Sequence, residues 1–456
     1  MELKSKKVLV VGAGKSGLAV AHFIVKKGAV AVLADANNPA YPDDQLAELV
    51  AEGVELSLGG YPDVKKGSFD LVVMSPGVPL TVEPARAALD NGIPVTGELE
   101  LAYHFTESPI VAITGTNGKT TTTALIGAIF QDAGISTLVG GNIGLPLVAE
   151  VEKYCSNDVI VAEVSSFQLE TASSFKPKVG VILNITPDHL DRHGNMDNYI
   201  AAKSRIYANQ EPGDYIVLNY DDPLTAELGA KSRGETIYFS RRKELENGVF
   251  VVEGKIVVKL GGKAEVICGI DDLSIPGAHN LENALAAVAA TKVMGINNRS
   301  LAATLKNFKG VAHRLEFVAE INGVRYINDS KGTNPDASIK ALEAYDEPIV
   351  LIAGGKNKGS DFSELAEKIK EKVRVLVVLG QSAELIAEAA RARRFENILA
   401  AANFKEAVML ASQAARPGNI VLLSPACASW DMFKNFEERG ELFRDIVLNI
   451  KSYREN

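Results

Sequence analysis

Short apolar runs alternate with stretches of 3.6-residue periodicity along most of the chain, and glycine- or proline-bearing turns separate the two. The first run, KVLVV at 7–11, is followed by the turn GAGKSG, the apolar-periodic LAVAHFIVKKG and a second strand, AVAVLAD, so residues 7–35 predict a βαβ unit. DLVVMSPG at 70–77 reads as a further strand ending on a Ser-Pro-Gly turn, and IPVTGELELAYH leads out of this first region near residue 97. A second unit begins with PIVAITGTNGKTTTTALIGAIFQDAG at 109–134, again strand, glycine loop and helix, and the strands VIVAEVSS and VGVILNI follow it. Between about 214 and 275 the pattern changes to short alternating strands, GVFVVEG, KIVVKL and AEVICG, which predict a small antiparallel insertion or edge. After the helix HNLENALAAVAATKVMG the βα rhythm returns from about 311 with EPIVLIAGG, VRVLVVLG and NIVLLSPA. The expected fold class is therefore α/β, with mostly parallel sheets covered by helices on both faces. The expected domains are 1–97, 98–310 and 311–456, and no short-period repeat interrupts them.

Composition narrows this picture. At 456 residues the chain exceeds what one core usually spans, and 46% hydrophobic with 23% charged residues excludes disordered and fibrous classes. A formal net charge of -9 gives no basic face for nucleic acid, so an anionic substrate must be held by local Lys, Arg and backbone N–H groups. Cys155, Cys268 and Cys427 are widely spaced and form no CxxC, which supports neither a disulfide framework nor a zinc ribbon. The amino terminus has an apolar run too short for a signal-peptide core, and no stretch approaches the ~18 apolar residues of a membrane span. A cytoplasmic protein without membrane or nucleic-acid partners is expected.

Two glycine loops carry candidate chemistry. Gly12, Gly14 and Gly17 form GxGxxG after a strand, and Asp35 ends the next strand where dinucleotide folds place a ribose-binding acid. This loop fits a pyrophosphate at a helix amino terminus, a dinucleotide-dependent dehydrogenase, or a turn built only for close packing. In ITGTNGKT, Gly115, Gly118, Lys119 and Thr120 lie between strand and helix as a phosphate loop requires, although Ile113 stands where the first glycine is expected. The residue types suit backbone contacts to ATP or GTP phosphates, Lys119 on the β and γ oxygens, and Thr120 on Mg²⁺. Glu163, ending the strand VIVAEV, is placed as a further metal oxygen donor or as an ordinary strand-end acid. ITPDHLDRHG sets His189 and His193 four apart, but no Glu follows the first His, and the Pro and Gly flanks predict a loop with His189 near a nucleotide metal rather than zinc. Cys427 has no base nearby in sequence and reads as a buried strand-end thiol.

Taken in order, GTNGKT, EVSSFQLE (163–170), NITPDHLDRHG (184–194), GAHNLENALAA (277–287), HRLE (313–316), NDSKGTNPDA (328–337) and SPACASWDMFKNFEERG (424–440) resemble the motifs of the Mur ligase superfamily across the whole chain. The resemblance implies an amino-terminal Rossmann-like domain for a UDP-linked substrate, a central phosphate-loop ATPase domain and a carboxy-terminal Rossmann-like domain for an amino acid. It implies ATP-dependent amide formation through an acyl phosphate. The last motif and the GTN loop are most similar to members that take UDP-N-acetylmuramoyl-L-alanine and D-glutamate, and a monomer is expected.

By position, the resemblance gives Gly14, Ser16, Asp35, Ser75, Gly77 and Asn142 to the UDP substrate, with Asn37 standing where a relative can carry Arg. It gives Gly115, Thr116, Asn117, Gly118, Lys119, Thr120, Thr121, Asn280, Asn283, Arg314 and Asp329 to ATP. Thr120, Glu163, His189 and Lys203 fall to Mg²⁺, two ions being implied, with Lys203 carried as a CO₂-derived carbamate. Lys119, His189 and Lys203 are the implied catalytic residues, and Lys331, Thr333, Lys358, Ser429 and Phe436 the implied D-glutamate contacts, one residue of slip exchanging Lys358 for Lys356. From residue identity alone Lys203 and Arg314 belong on the surface, and the Asn pair reads as a cap or solvated face.

Overall fold

The computed structural model describes residues 1–38, 43–357 and 359–450, and the side chains of 43–45 are outside the description. Among the described residues the strands form three sheets. In the first, β1 (Lys7–Val11), β2 (Val30–Asp35), β3 (Glu55–Leu58), β4 (Leu71–Met74) and β5 (Val95–Gly97) pair in parallel in the order β3-β2-β1-β4-β5. The order reverses direction between β1 and β4, so the turns after these two strands open on one crevice, as at the ligand end of other open α/β sheets.

The second sheet holds β6 (Ile110–Thr114), β7 (Thr137–Gly141), β8 (Val159–Glu163), β9 (Val179–Ile182), β10 (Tyr215–Asn219), β11 (Glu235–Ser240), β12 (Gly248–Val252), β13 (Lys255–Leu260) and β14 (Lys263–Gly269). Its order is β14-β13-β12-β11-β10-β9-β6-β8-β7, parallel from β7 to β12 and antiparallel through β13 and β14, so the 214–275 region extends one edge of the sheet. β6, β8 and β9 are buried on both faces, which is why they read as unbroken apolar runs. The third sheet has β15 (Glu316–Ile321), β16 (Val324–Asn328), β17 (Ile349–Gly354), β18 (Val373–Leu379), β19 (Ile398–Ala400) and β20 (Ile420–Leu423) in the order β15-β16-β20-β17-β18-β19, with only the β15/β16 hairpin antiparallel.

The chain divides into two compact units. One comprises Met1–Gly269 and Ala284–Thr304, and the other comprises Ile270–Asn283 with the chain from Leu305 onward. Within the first unit, the first two sheets share one hydrophobic core running from Val8 and Phe23 through Leu99 and Leu101 to Val148 and Phe175. Phe23 meets Phe105 edge to face at 5.0 Å. Among the described residues no helix is long and apolar enough to cross a membrane.

Glu100, 1% exposed, ties the connecting helix Glu98–Tyr103 to the central sheet. Its carboxylate accepts from Ser173 N (3.1 Å), Ser173 Oγ (3.0 Å), Ser174 N (2.7 Å), Phe175 N (2.9 Å) and Ser174 Oγ. Burial alone would raise its pKa, but the hydrogen bonds from Ser174 and Ser173 together hold it below the usual glutamate value. The stability it contributes is therefore complete above the ordinary glutamate pKa and is lost as pH falls through the lowered one. Glu100→Ala is expected to cost about 3 kcal/mol at neutral pH, because it strands several donors at once, and Glu100→Gln less. Urea unfolding of the three proteins at pH 7 and pH 4 checks this, and the gap between wild type and Glu100→Ala should narrow at the lower pH.

Candidate active site

The second glycine loop joins β6 to the helix Lys119–Asp132. Gly118 caps that helix with φ +86°, a left-handed conformation that a side chain would strain, so the GK step is a backbone requirement. Thr116 N donates to Asn184 O (3.0 Å) and Asn117 N to Asn184 Oδ1 (2.9 Å), which fastens the loop to the segment after β9. Lys119 Nζ turns back over the loop to the carbonyls of Gly115 (2.9 Å) and Thr116 (2.7 Å). Lys203 Nζ reaches the same Gly115 carbonyl from the helix Met196–Ser204 at 2.9 Å, so two lysines converge on one oxygen.

Lys203 is buried, 2% exposed, with its nitrogen 4.5 Å from the centre of the Tyr199 ring, one helical turn earlier. Burial, reinforced by the charge of Lys119 and opposed by Asp188, lowers its pKa well below the usual lysine range. The surface placement expected from residue identity does not hold for this residue. Thr116 turns its hydroxyl to Thr186 O (3.0 Å) and Tyr199 Oη (3.2 Å), and Thr121 Oγ1 is buried with no hydrogen-bond partner among the described residues.

Glu163 lies at the carboxyl end of β8, 2% exposed, and accepts from Thr120 Oγ1 (2.8 Å) and Asn142 Nδ2 (3.0 Å). Asn142, expected at the sugar-nucleotide substrate, thus shares one carboxylate with the hydroxyl expected on Mg²⁺. Among the described residues no three His, Cys, Asp or Glu side chains cluster to hold a metal ion by themselves. Mg²⁺ bound with phosphates needs only one or two protein oxygens, and the adjacent Thr120 hydroxyl and Glu163 carboxylate are hard donors of the right kind.

His189 stands in a left-handed conformation (φ +53°) before the short helix Leu190–His193, so part of the expected loop is a single helical turn. Its ring meets Phe167 edge-on at 4.9 Å, while His193 stacks on Phe167 at 5.5 Å and contacts Ser166 Oγ (2.9 Å). Both imidazoles are thus engaged with one aromatic ring, and the zinc reading gains nothing.

In the first sheet, Gly17 lets the helix Lys15–Lys26 press on the turn, since a Cβ there would lie 1.8 Å from Gly12 O. Asp35 accepts from Ala13 N and Asn37 N, each at 2.9 Å, and Ser75 Oγ donates to Gly12 O (2.8 Å). Ser16 is half-buried in the helix's first turn, while Gly14 and Gly77 are exposed.

The second unit gathers the remaining residues. Asn280 and Asn283 are buried and joined by a hydrogen bond of 3.2 Å, not a solvated pair. Asp329 is fully buried at the end of β16. It accepts from Ser424 Oγ (2.8 Å) and Leu315 N (3.3 Å) and faces Arg314 Nη1 at 3.6 Å, so Arg314 is not a surface residue either. Burial raises the Asp329 pKa, and the Arg314 charge opposes the rise. Lys331 Nζ lies 5.2 Å from the centre of the Phe436 ring, Thr333 follows on the same loop, and Ser429 is buried beyond Cys427. Lys358 lies outside the described residues. Its neighbour Lys356 exchanges backbone hydrogen bonds with Ala428, which joins the loop after β17 to the SPACAS loop.

Arg439 is absent from the expected set. It is 1% exposed, donating to Ser330 Oγ (2.9 Å), Ser330 O (2.7 Å) and Cys427 O (3.3 Å). Burial lowers its pKa to about 10, which leaves it charged at neutral pH. An arginine in FEERG gives no sequence sign of burial; Tyr199 was also absent from the expected set, and its spacing of four from Lys203 is the signal that could have found it.

Three family models match in chain order: the Mur ligase MurD-like N-terminal domain at residues 6–97, the Mur ligase middle domain at 113–291, and the Mur ligase glutamate ligase domain at 313–427. The chain belongs to the Mur ligase family. Among curated Mur ligases, it is 74% identical over 446 residues to the UDP-N-acetylmuramoylalanine–D-glutamate ligase of Pelotomaculum thermopropionicum, covering 98% of each chain. It is 48% identical over 453 residues to the ligase of the same name from Thermoanaerobacter sp. strain X514, covering 99% of this chain and 100% of the other. Its fold is that of the solved Mur ligases. UDP-N-acetylmuramate-alanine ligase MurC of Thermotoga maritima superposes with a TM-score of 0.60 at 20% identity over 99% of each chain. MurF ligase of Thermotoga maritima in complex with ADP superposes with a TM-score of 0.59 at 17% identity, over 98% of this chain and 96% of that one. Family members are peptide-forming, ATP-dependent ligases, and the dehydrogenase alternative for the first loop falls away.

Arg439→Ala is expected to destabilise this Mur ligase by about 3 kcal/mol in chemical denaturation, since it frees buried acceptors on two loops. Arg439→Lys should recover only part of that, because an ammonium cannot span Ser330 and Cys427 as the guanidinium fork does.

Proposed function

We propose that this ligase adds D-glutamate to UDP-N-acetylmuramoyl-L-alanine with ATP, releasing ADP and phosphate, as a step of peptidoglycan synthesis. The observation that carries the reading is identity of 74% over 98% of both chains with a ligase named for that reaction. The geometry supports its chemistry. A carboxylate does not condense with an amine at neutral pH because oxide is a poor leaving group, and phosphorylation replaces it with phosphate. The alanyl carboxylate attacks the γ-phosphoryl group of ATP and displaces ADP, with Lys119 neutralising the charge on the phosphate oxygens. The amine of D-glutamate then attacks the acyl phosphate, and the tetrahedral intermediate collapses to amide and phosphate.

Thr120, Glu163 and His189 would hold Mg²⁺, which when bound supplies neutralisation of phosphate charge. Lys203, already driven toward its neutral amine by burial, is suited to add CO₂ and become an oxygen donor as a carbamate, which would serve a second ion. Asn280, Asn283, Arg314 and Asp329 take the nucleoside part of ATP. Lys331, Lys358, Thr333 and Ser429 take the carboxylates of D-glutamate, with Phe436 against its chain. Gly14, Ser16, Asp35, Ser75 and Gly77 hold the UDP part.

The test is phosphate release by the purified protein with ATP and Mg²⁺, supplying the sugar nucleotide with D-glutamate, L-glutamate or no amino acid. Release that requires both the sugar nucleotide and D-glutamate is expected, and release with L-glutamate or without an amino acid would overturn the assignment. Lys119→Ala is expected to lower turnover on the order of 10² to 10³-fold, the loss typical of one charge-stabilising donor. A carbamate signal from labelled bicarbonate should be present in wild type and absent in Lys203→Arg.

A further inference from the structure

Arg192 has no part in the contacts so far described, yet it reaches from the central sheet to the first. Its Nη2 pairs with Glu170 Oε2 at 2.7 Å and donates to Val78 O at 3.3 Å, while Nη1 lies 3.5 Å from Gly77 O. The guanidinium carbon lies over the Phe167 ring at 4.7 Å from its centre, and that ring is the one against which His189 and His193 rest. Arg192 and Glu170 are 16% and 19% exposed, so their pair works in a partly desolvated crevice, which Ser75, Pro76 and Phe167 also line.

From this arrangement we infer that Arg192 is a positioning residue for the ligase reaction: it fixes the Ser75–Val78 turn of the sugar-nucleotide domain relative to the His189 segment. The inference rests on the reading under Proposed function for its kinetic form. The chemistry argues for a register device. Glu170 aims the guanidinium, whose remaining N–H groups take carbonyls of the turn, and its carbon sits over the ring that His189 meets edge-on. A planar, five-donor group can satisfy all three contacts, and an ammonium cannot. The carboxylate of the sugar-nucleotide substrate must meet the phosphoryl group at reacting distance while its uridine end sits against the turn. A looser turn therefore misplaces the reacting carboxylate, and misplacement of about 1 Å is enough to cost up to ~100-fold in rate.

The test compares wild type, Arg192→Lys, Arg192→Ala and Glu170→Gln. Arg192→Ala is expected to raise KM for the sugar nucleotide by roughly tenfold and to lower kcat, with KM for ATP and for D-glutamate unchanged. Arg192→Lys should restore little of this, and Glu170→Gln should shift the same two parameters by less. Amide hydrogen exchange at Ser75–Val78 should quicken in Arg192→Ala while the β6 amides keep wild-type protection. A parallel rise in all three KM values, or unchanged kinetics, would overturn the inference. Should wild type itself fail to turn over with these substrates, the functional reading fails. The exchange measurement then decides the positioning alone, and unchanged exchange at 75–78 overturns it.

Discussion

Parallel pairing of β6 with β8 on one side and β9 on the other sets the geometry of the central site. The register matches Ile113 with Glu163 and Thr114 with Ile182, so three strand ends finish at one level. From that level rise the phosphate loop, the Glu163 carboxylate and the Asn184–His189 segment, and all three are fixed to each other by short backbone and side-chain bonds. The first and third sheets repeat the device. Gly12 and Ser75 follow β1 and β4, and Asp329, Ser424 and Gly355 follow β16, β20 and β17. Strands hidden on both faces leave only their ends for polar chemistry, which is why many of the candidate residues lie at or just beyond a carboxyl end, while Lys203, Asn280, Asn283 and Phe436 come from helices and Arg314 precedes β15.

Much of this was legible beforehand. Strands such as KVLVV, IVAIT and IVLL announce themselves because burial on both faces demands unbroken apolar runs, and the Gly118-Lys119 step announces a left-handed cap before a helix. The less legible elements are those whose sequence serves two purposes. β7 reads TLVGG, because Gly141 must let a backbone pass where a Cβ would lie 2.4 Å from Glu163 O. The β15/β16 hairpin, with half-exposed EFVAEI, lacks a clean period because it sits at a sheet edge and is bulged at Phe317/Ala319.

Burial of charge was the least legible property. Lys203, Arg439, Glu100 and Asp329 are among the most hidden side chains, though their residue types belong at the surface. No local pattern distinguishes them, because what makes their burial tolerable comes from far along the chain: Gly115 for Lys203, Ser330 and Cys427 for Arg439, Ser173 to Phe175 for Glu100, and Ser424 for Asp329. Each of these groups trades solvation for a fixed set of partners, which holds loops in place.

The helix Ala278–Lys292 is divided between the two compact units, with Ile270–Asn283 grouped with the chain beyond Leu305. During synthesis on the ribosome this helix emerges before any strand of the third sheet exists. The half that carries Asn280 and Asn283 must then wait, partly unsupported, for about a third of the polypeptide to follow. The carboxy-terminal unit is therefore not a bead that could be cut away at residue 305. A chain severed there would strip it of a segment that completes its packing, and the buried Asn280 and Asn283 would lose the neighbours that keep them dry.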